Sequence, residues 1–187
     1  MPAKKKITRE KILNEALEMV REGGLEKVNC LDLAKRLGCS TQPIYLSFAN
    51  MEDLKGAILS EISAVYETYL KRETEKQNYP RFKAYGMGYI RFAREEKEFY
   101  KCLFLRDRSK ETVEKRDEET ENIVSIIAET TGLSKEQAYT FHIEMWIYVH
   151  GIATMLATSY LDWNEETVSS LISDMYAGLK ARYSEAR

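Results

Sequence analysis

The 187-residue chain contains only three prolines, Pro2, Pro43 and Pro80. Proline interrupts an α-helix because it lacks the backbone N–H and its ring clashes with the preceding turn. Long stretches of this chain are therefore free to be helical. No segment shows the sustained two-residue alternation of apolar side chains that is typical of a β-strand. The sequence predicts an all-α fold of about nine helices.

Capping residues and glycines predict where these helices begin and end. Thr8 and Asn29 can cap the first two helices, which we expect over residues 8–22 and 30–37, and glycines follow both. The third helix is expected over 41–48 with Ser40 as its cap, and the fourth over 50–77 with Asn50 as its cap. Two further helices are expected between 81 and 105, divided near 95–98, and another over 118–130. The last two are expected over 134–160, where Ser134 and Gln137 can form a capping box, and after the cap Asn164.

The second and third predicted helices are short and are joined by Gly38-Cys39-Ser40. Such a pair forms a helix-turn-helix. Isolated helices shorter than about 12 residues are marginal in water, so both need a covering partner, for which the first helix is available. The apolar positions that it can cover are Leu31, Leu33, Ala34, Leu37, Ile44 and Phe48. We therefore expect a helix-turn-helix head over residues 1–50 and a helical body over residues 51–187.

Charge and hydropathy favour a protein that contacts phosphates and does not enter membranes. No apolar run approaches the roughly 20 residues that span a bilayer. The basic N-terminus has no apolar stretch behind it, so we expect a cytoplasmic protein with no secretory signal. Cations are concentrated at the start of the chain, where only Glu10 opposes them: Lys4, Lys5, Lys6, Arg9 and Lys11.

The sequence contains no pattern that predicts an enzyme. Its three cysteines form no C-x-x-C pair and are expected to be reduced structural thiols. His142 and His150 are eight residues apart on one predicted helix, about 12 Å, which is too far to share one metal ion. There is no Gly-rich phosphate loop and no nucleophile with its base. We expect no catalytic residues, no metal and no cofactor.

Three segments resemble the DNA-binding head of the TetR family. These are TREKILNEALEMV at 8–20 followed by Gly24, LDLAKRLGCSTQPIYLSF at 31–48, and NMEDL at 50–54. The resemblance covers about residues 8–58. A second segment, WIYVHGIATMLAT at 146–158, is similar to a Trp…His-Gly segment in the C-terminal domains of one branch of that family.

The resemblance implies that the third helix enters the major groove of DNA with its N-terminal end facing base edges. Gln42 could pair with adenine, and the Pro43 ring could touch a thymine methyl group. Ser47 and Met51 depart from the family, which often has His and Lys there as phosphate contacts. The expected DNA-contacting residues are Lys4, Lys5, Lys6, Arg9, Ser40, Thr41, Gln42, Pro43, Tyr45, Ser47 and Lys55.

For the body, the resemblance implies a small-molecule pocket and a dimer in which the last two helices pair with their twofold mates. Candidate pocket residues are Tyr85, Tyr89, Phe92, Phe104, Phe141, Met145 and Tyr148. Side chains at such spacing are also typical of a core. Candidate interface residues are Met155, Val168, Leu171, Ile172, Met175, Tyr176 and Leu179. An intramolecular core stripe explains the last six equally well.

These features predict a homodimeric transcriptional regulator, a repressor released from a palindromic operator by a small-molecule effector that the sequence does not identify. An activator would have the same sequence features, because that distinction depends on where the operator lies. The alternative function is a helical protein-interaction module whose head has lost DNA binding, which the residues at 47 and 51 favour slightly.

Deletion of residues 1–6 should sharply weaken DNA binding, because the third helix carries few charges and the basic arm would supply phosphate contacts. The measurement is the dissociation constant for a bound duplex. An unchanged constant at physiological salt would refute this expectation.

Overall fold

A computed structural model of the protein describes residues 7–109 and 118–185, and all regular structure in these ranges is helical. No helix in this part of the chain combines the length and the apolar character needed to cross a bilayer. The predicted all-α fold is confirmed. Its helices are α1 (Arg9–Gly23), α2 (Cys30–Leu37), α3 (Gln42–Ser47), α4 (Met51–Glu75), α5 (Arg81–Glu95), α6 (Lys97–Phe104), α7 (Glu118–Thr131), α8 (Lys135–Ala157) and α9 (Glu165–Glu185), with a 3₁₀ turn at Leu25–Lys27.

Most helix ends follow from the capping residues. The Thr8 hydroxyl accepts from the Lys11 N–H at 3.2 Å, and the Asn29 amide oxygen accepts from the Asp32 N–H at 3.0 Å. Ser134 and its partner complete the expected capping box at the start of α8. Gly38 ends α2 in the left-handed conformation, with φ of 64°. Local side-chain chemistry therefore determines these boundaries.

Three predicted boundaries were wrong. Helix α3 begins after Thr41, which makes no side-chain capping bond, and Ser40 does not cap it. Helix α4 ends before Gln77, which adopts a positive φ of 54° and cannot continue a right-handed helix. Helix α8 ends before Tyr160 because Ser159 adopts a φ of 57°.

The described residues form two compact units, and the first comprises residues 7–66 and 96–106. Here α1 packs on α2, α3 and α6, burying Ile12, Leu33, Ile44 and Phe99 among its core residues. Leu31 was expected in this core but is 75% exposed. The buried stripe of α2 repeats every three or four residues, and position 31 lies off that stripe.

The second unit comprises residues 67–95, 107–109 and 118–185, and α5 and α8 form its centre. Its fully buried side chains include Phe92, Ile127 and Phe141. The boundary between the two compact units lies within α4. The predicted boundary between head and body, at residue 50, separates instead a DNA-binding part from a regulatory part. That functional division stays a prediction.

A network of ion pairs around one buried carboxylate connects three helices of the second unit. Glu73 of α4 is 1% exposed and lies 2.5 Å from Lys76 Nζ and 2.9 Å from Arg91 Nε. The Arg91 guanidinium also donates to Glu165 at the start of α9, at 2.8 Å. Because each buried charge has an opposite partner, the network avoids the large cost of an isolated buried ion.

Two glycines of α5 test how closely α4 approaches it. A Cβ at Gly88 would lie 3.1 Å from both the Leu70 Cα and the Tyr69 carbonyl oxygen, whereas at Gly86 the nearest atom, on Val149, would be 3.5 Å away.

G86A should raise the free energy of unfolding by up to about 1 kcal/mol, since alanine favours helix. G88A should lower it by about 1 kcal/mol, since backbone must move. Urea denaturation followed by circular dichroism measures both; equal stability of the two variants would contradict this close approach.

Candidate nucleic-acid interface

The α2–α3 pair is held in place by its turn and by two buried side chains. At the end of α2, the Gly38 N–H donates to the Lys35 carbonyl at 3.1 Å and the Cys39 N–H to the Ala34 carbonyl at 3.0 Å. Ile44 and Phe48 are buried on the inner side of α3. The turn sets the direction of α3, and these two residues fix which side of it faces solvent.

The outer side of α3 brings several predicted DNA-contacting residues together. Gln42 and Tyr45 are exposed, and Ser40 is exposed just before the helix. Thr41, just before the helix, and Pro43, in its first turn, are half-buried. The residues around the N-terminal end of α3 therefore form one surface with amide, hydroxyl and apolar groups.

Ser47 was predicted to contact DNA, but the structure gives its side chain another partner. Its hydroxyl donates to the Pro43 carbonyl within the same helix at 3.0 Å, and the residue is half-buried. A phosphate needs a hydrogen-bond donor, so contact with one would require breaking this bond.

Two cations flank this surface with different restraints. The Arg9 guanidinium lies 4.7 Å from the centre of the buried Phe48 ring, a cation–π contact that places its charge near α3. Lys55 Nζ lies 4.0 Å from Glu26 and 3.9 Å from Glu52, and both carboxylates are exposed. Such long, solvated pairs are weak and leave the ammonium group available. Lys4, Lys5 and Lys6 lie outside the described residues.

Tyr45 contacts the start of α2. Its interaction with the Cys30 side chain, chiefly a hydrogen bond, raises the pKa of Tyr45 above its ordinary value. A phenol is protonated at neutral pH in any case, and its hydroxyl can donate a hydrogen bond.

One exposed leucine was missed as a candidate contact, and another was assigned to the wrong environment. Leu46 of α3 is 80% exposed, and Leu31 was assigned to the core. Helical periodicity could have identified Leu46, because it lies halfway between the buried positions 44 and 48.

Four of the seven candidate pocket residues are buried in the core of the second unit: Tyr89, Phe92, Phe141 and Met145. The Phe92 ring packs on that of Tyr69 and the Phe141 ring on that of Phe82, which is consistent with a core. Phe104 belongs to the first unit, where its ring lies 5.5 Å from that of Tyr66. The remaining two, Tyr85 and Tyr148, are half-buried.

Two spaces within single units, among the described residues, lie elsewhere. A cleft of about 540 Å³ in the first unit is lined by Met19, Glu22, Gly23, Lys27, Asp32, Lys35 and Arg36. A cavity of about 40 Å³ in the second unit is lined by Met87, Ile90, Arg91, Arg94, Glu95, Glu165 and Val168. None of the seven candidate pocket residues lines either space.

The candidate interface residues divide in a similar way. Val168, Ile172 and Leu179 are buried in their own unit, where α9 packs on α5 and α8, and they are therefore core residues. The Tyr176 ring packs on that of Phe82 at 5.4 Å. The other three are more accessible: Leu171, Met175 and Met155.

Both histidines have structural surroundings. His142 is buried, and His150 Nδ1 lies 2.7 Å from the Tyr89 hydroxyl, with the Trp146 ring stacked on it at 4.9 Å. Burial lowers the pKa of His150, which favours neutral imidazole. Across residues 7–109 and 118–185, no group of three His, Cys, Asp or Glu side chains could hold a metal ion.

Comparisons with known proteins agree with this arrangement. Residues 12–58 match the family model described as bacterial regulatory proteins, tetR family, and residues 82–178 match the one described as tetracyclin repressor-like, C-terminal domain. No curated protein is significantly similar in sequence.

Among solved structures, the chain resembles a putative transcriptional regulator TetR family protein from Vibrio parahaemolyticus, with a TM-score of 0.59 and 14% identity over 90% of this chain and 96% of that one. This likeness supports the fold alone. The C-terminal family match spans a little over half of the 187 residues, and the other covers the helix-turn-helix. The chain therefore belongs to the TetR family of DNA-binding transcriptional regulators.

Proposed function

We propose that this regulator is a homodimeric repressor that binds a palindromic operator through α3 and is released by a small-molecule effector. The main support for DNA binding is the exposure of side chains on the outer side of α3. Gln42, Tyr45 and Leu46 are exposed on a helix that two buried residues hold in place. A helix presented in this way suits insertion into the major groove.

We assign reading of bases and contact with phosphates to different residues. Gln42 pairs with adenine, and Ser40, Thr41 and Pro43 lie close enough to contact neighbouring base edges. Tyr45, Arg9 and Lys55 donate to phosphates, together with Lys4, Lys5 and Lys6 of the arm. Phosphate contacts position the head without reading sequence. In this proposal residues 1–50 carry DNA binding and residues 51–187 carry dimerisation and regulation, in the cytoplasm.

The accessible face of α8 supports a second copy of the chain as its partner. Ile147 is 60% exposed, Met155 is exposed, and Gly151 lies between them at four-residue spacing, so all three share one side of the helix. A Cβ at Gly151 would meet nothing within 4 Å, and the same is true at Gly178 of α9. Apolar side chains beside bare glycines allow two helices to approach closely. We propose that this face, with Leu171 and Met175, forms the interface.

The effector would act through the second unit, whose match to a tetracyclin repressor-like domain supports a ligand there. Half-buried Tyr85 and Tyr148 remain the candidate contacts among the residues first considered. A ligand that binds one spacing of the two heads more tightly than another weakens DNA binding by shifting the population.

Selection of bound duplexes from a random DNA library, followed by mass determination of the complex on the selected duplex, tests the proposal as a whole. We expect a palindromic site that holds one or two dimers. If no sequence is enriched and the weak binding vanishes with modest salt, the protein-interaction alternative replaces it.

Q42A should weaken binding to the selected site at least about tenfold, because an adenine then loses a bidentate partner. S47A is the matched control on the same helix and should change affinity much less, because its hydroxyl bonds within α3. Electrophoretic mobility shift titrations on selected and scrambled duplexes measure both. Equal losses for the two variants on the selected duplex would contradict these roles.

I147D should convert the dimer to a monomer, because a carboxylate would then be buried at the apolar interface without a partner. L105D is the control, since Leu105 is also exposed but lies in the first unit. Analytical ultracentrifugation gives the masses. A dimeric I147D protein would exclude this face of α8 from the interface.

A further inference from the structure

The exposed leucine of α3 packs little against residues 7–109 and 118–185. Leu46 is 80% exposed, although a leucine side chain gains about 2 kcal/mol when it is buried. It is four residues after Gln42, so the two side chains lie on the same side of α3, one turn apart. Leu46 therefore presents apolar surface beside the amide that we assign to base reading.

The chemistry around Leu46 restricts which base edges this helix can read. Residues 37–51, which include the whole of α3 and its turn, contain no charged side chain. Arg and Lys make the commonest specific contact to guanine, through its O6 and N7 atoms, and neither occurs here. What the exposed side offers is one carboxamide, hydroxyl groups and apolar surface.

Each of these groups has a preferred base in the major groove. A carboxamide pairs bidentately with adenine, and apolar side chains contact the 5-methyl group of thymine, which is the only methyl group on any base edge in that groove. Both preferences select A·T pairs, and they select opposite members of the pair.

We propose that Leu46 is a specificity-determining residue that reads the 5-methyl group of a thymine in each operator half-site. The proposal rests on the proposed function of α3. Positions 42 and 46 are separated by about 6 Å along the helix axis, which corresponds to roughly two base-pair steps when α3 lies along the major groove. Each half-site therefore contains an adenine read by Gln42 and, about two pairs away, a thymine whose methyl group packs on Leu46.

Deoxyuridine tests this contact because it differs from thymidine only by the missing methyl group and pairs identically. Each thymidine of the selected operator is replaced in turn, symmetrically in both half-sites, and the full-length protein is titrated against each duplex. For the wild-type protein we expect a replacement about two pairs from the adenine read by Gln42 to weaken binding about fourfold for each methyl group lost, apart from any replacement at a thymine that the Pro43 ring touches.

Two leucine variants assign the effect to a side chain. L46A should bind the thymidine operator more weakly and should lose the sensitivity to deoxyuridine at that position. L31A is the matched control, because Leu31 is 75% exposed but belongs to α2, and it should retain the full sensitivity. Neither variant removes core packing, so both should fold, which circular dichroism checks.

Three results would overturn the assignment. These are a wild-type protein that binds every deoxyuridine duplex as well as the thymidine duplex, an L46A protein that keeps the same sensitivity, or an L31A protein that loses it. In all three cases the selection experiment has already yielded an operator. If the proposed function itself is wrong, the library yields no enriched sequence, so the two failures can be distinguished.

Discussion

The exposed surface of α3, which reads DNA in the function we propose, depends on the burial of Ile44 and Phe48 against the rest of the first unit. Helix α2 has eight residues and α3 has six, both well below the length at which an isolated helix is stable in water. Their structure is therefore tertiary in origin, since α1 packs on both of them. Once these two side chains are buried, the opposite side of α3 faces solvent, and its side chains need not contribute to stability.

In the function we propose, affinity and specificity then come from different residues of the chain. The cations lie outside the turn and α3, on the arm, on α1 and on α4, where they contact phosphates in the function we propose. The segment 37–51 has no charge and can discriminate only by shape, hydrogen bonding and apolar contact. Salt should therefore weaken binding to all sequences by a similar factor and leave the ranking of sequences unchanged.

Local signals in the sequence predicted most of the helices. The roles of several candidate site residues could not be predicted, because they depend on packing between residues that are distant in the sequence. Thr8, Asn29 and Ser134 cap helices within three residues of themselves, so no knowledge of the fold was needed to identify them. Hydrophobicity alone could not decide whether Phe141 faces a cavity or a core, or whether Val168 packs on its own chain or on another. Both are buried in the second unit. Ser47 illustrates a third limit, because its bond to a carbonyl four residues earlier depends on a rotamer.

The contact between Arg9 and Phe48 has a consequence for how this protein tolerates mutation. One ring both anchors α3 and holds a cation of α1 near the same surface. A change from phenylalanine to leucine would keep an apolar side chain in the core but would remove the π-face on which the guanidinium lies. Such a variant would lose some stability, because the smaller side chain leaves core volume unfilled, and it would also lose a positioned charge. In the function we propose, operator binding therefore requires an aromatic face at this position, which a stable fold does not.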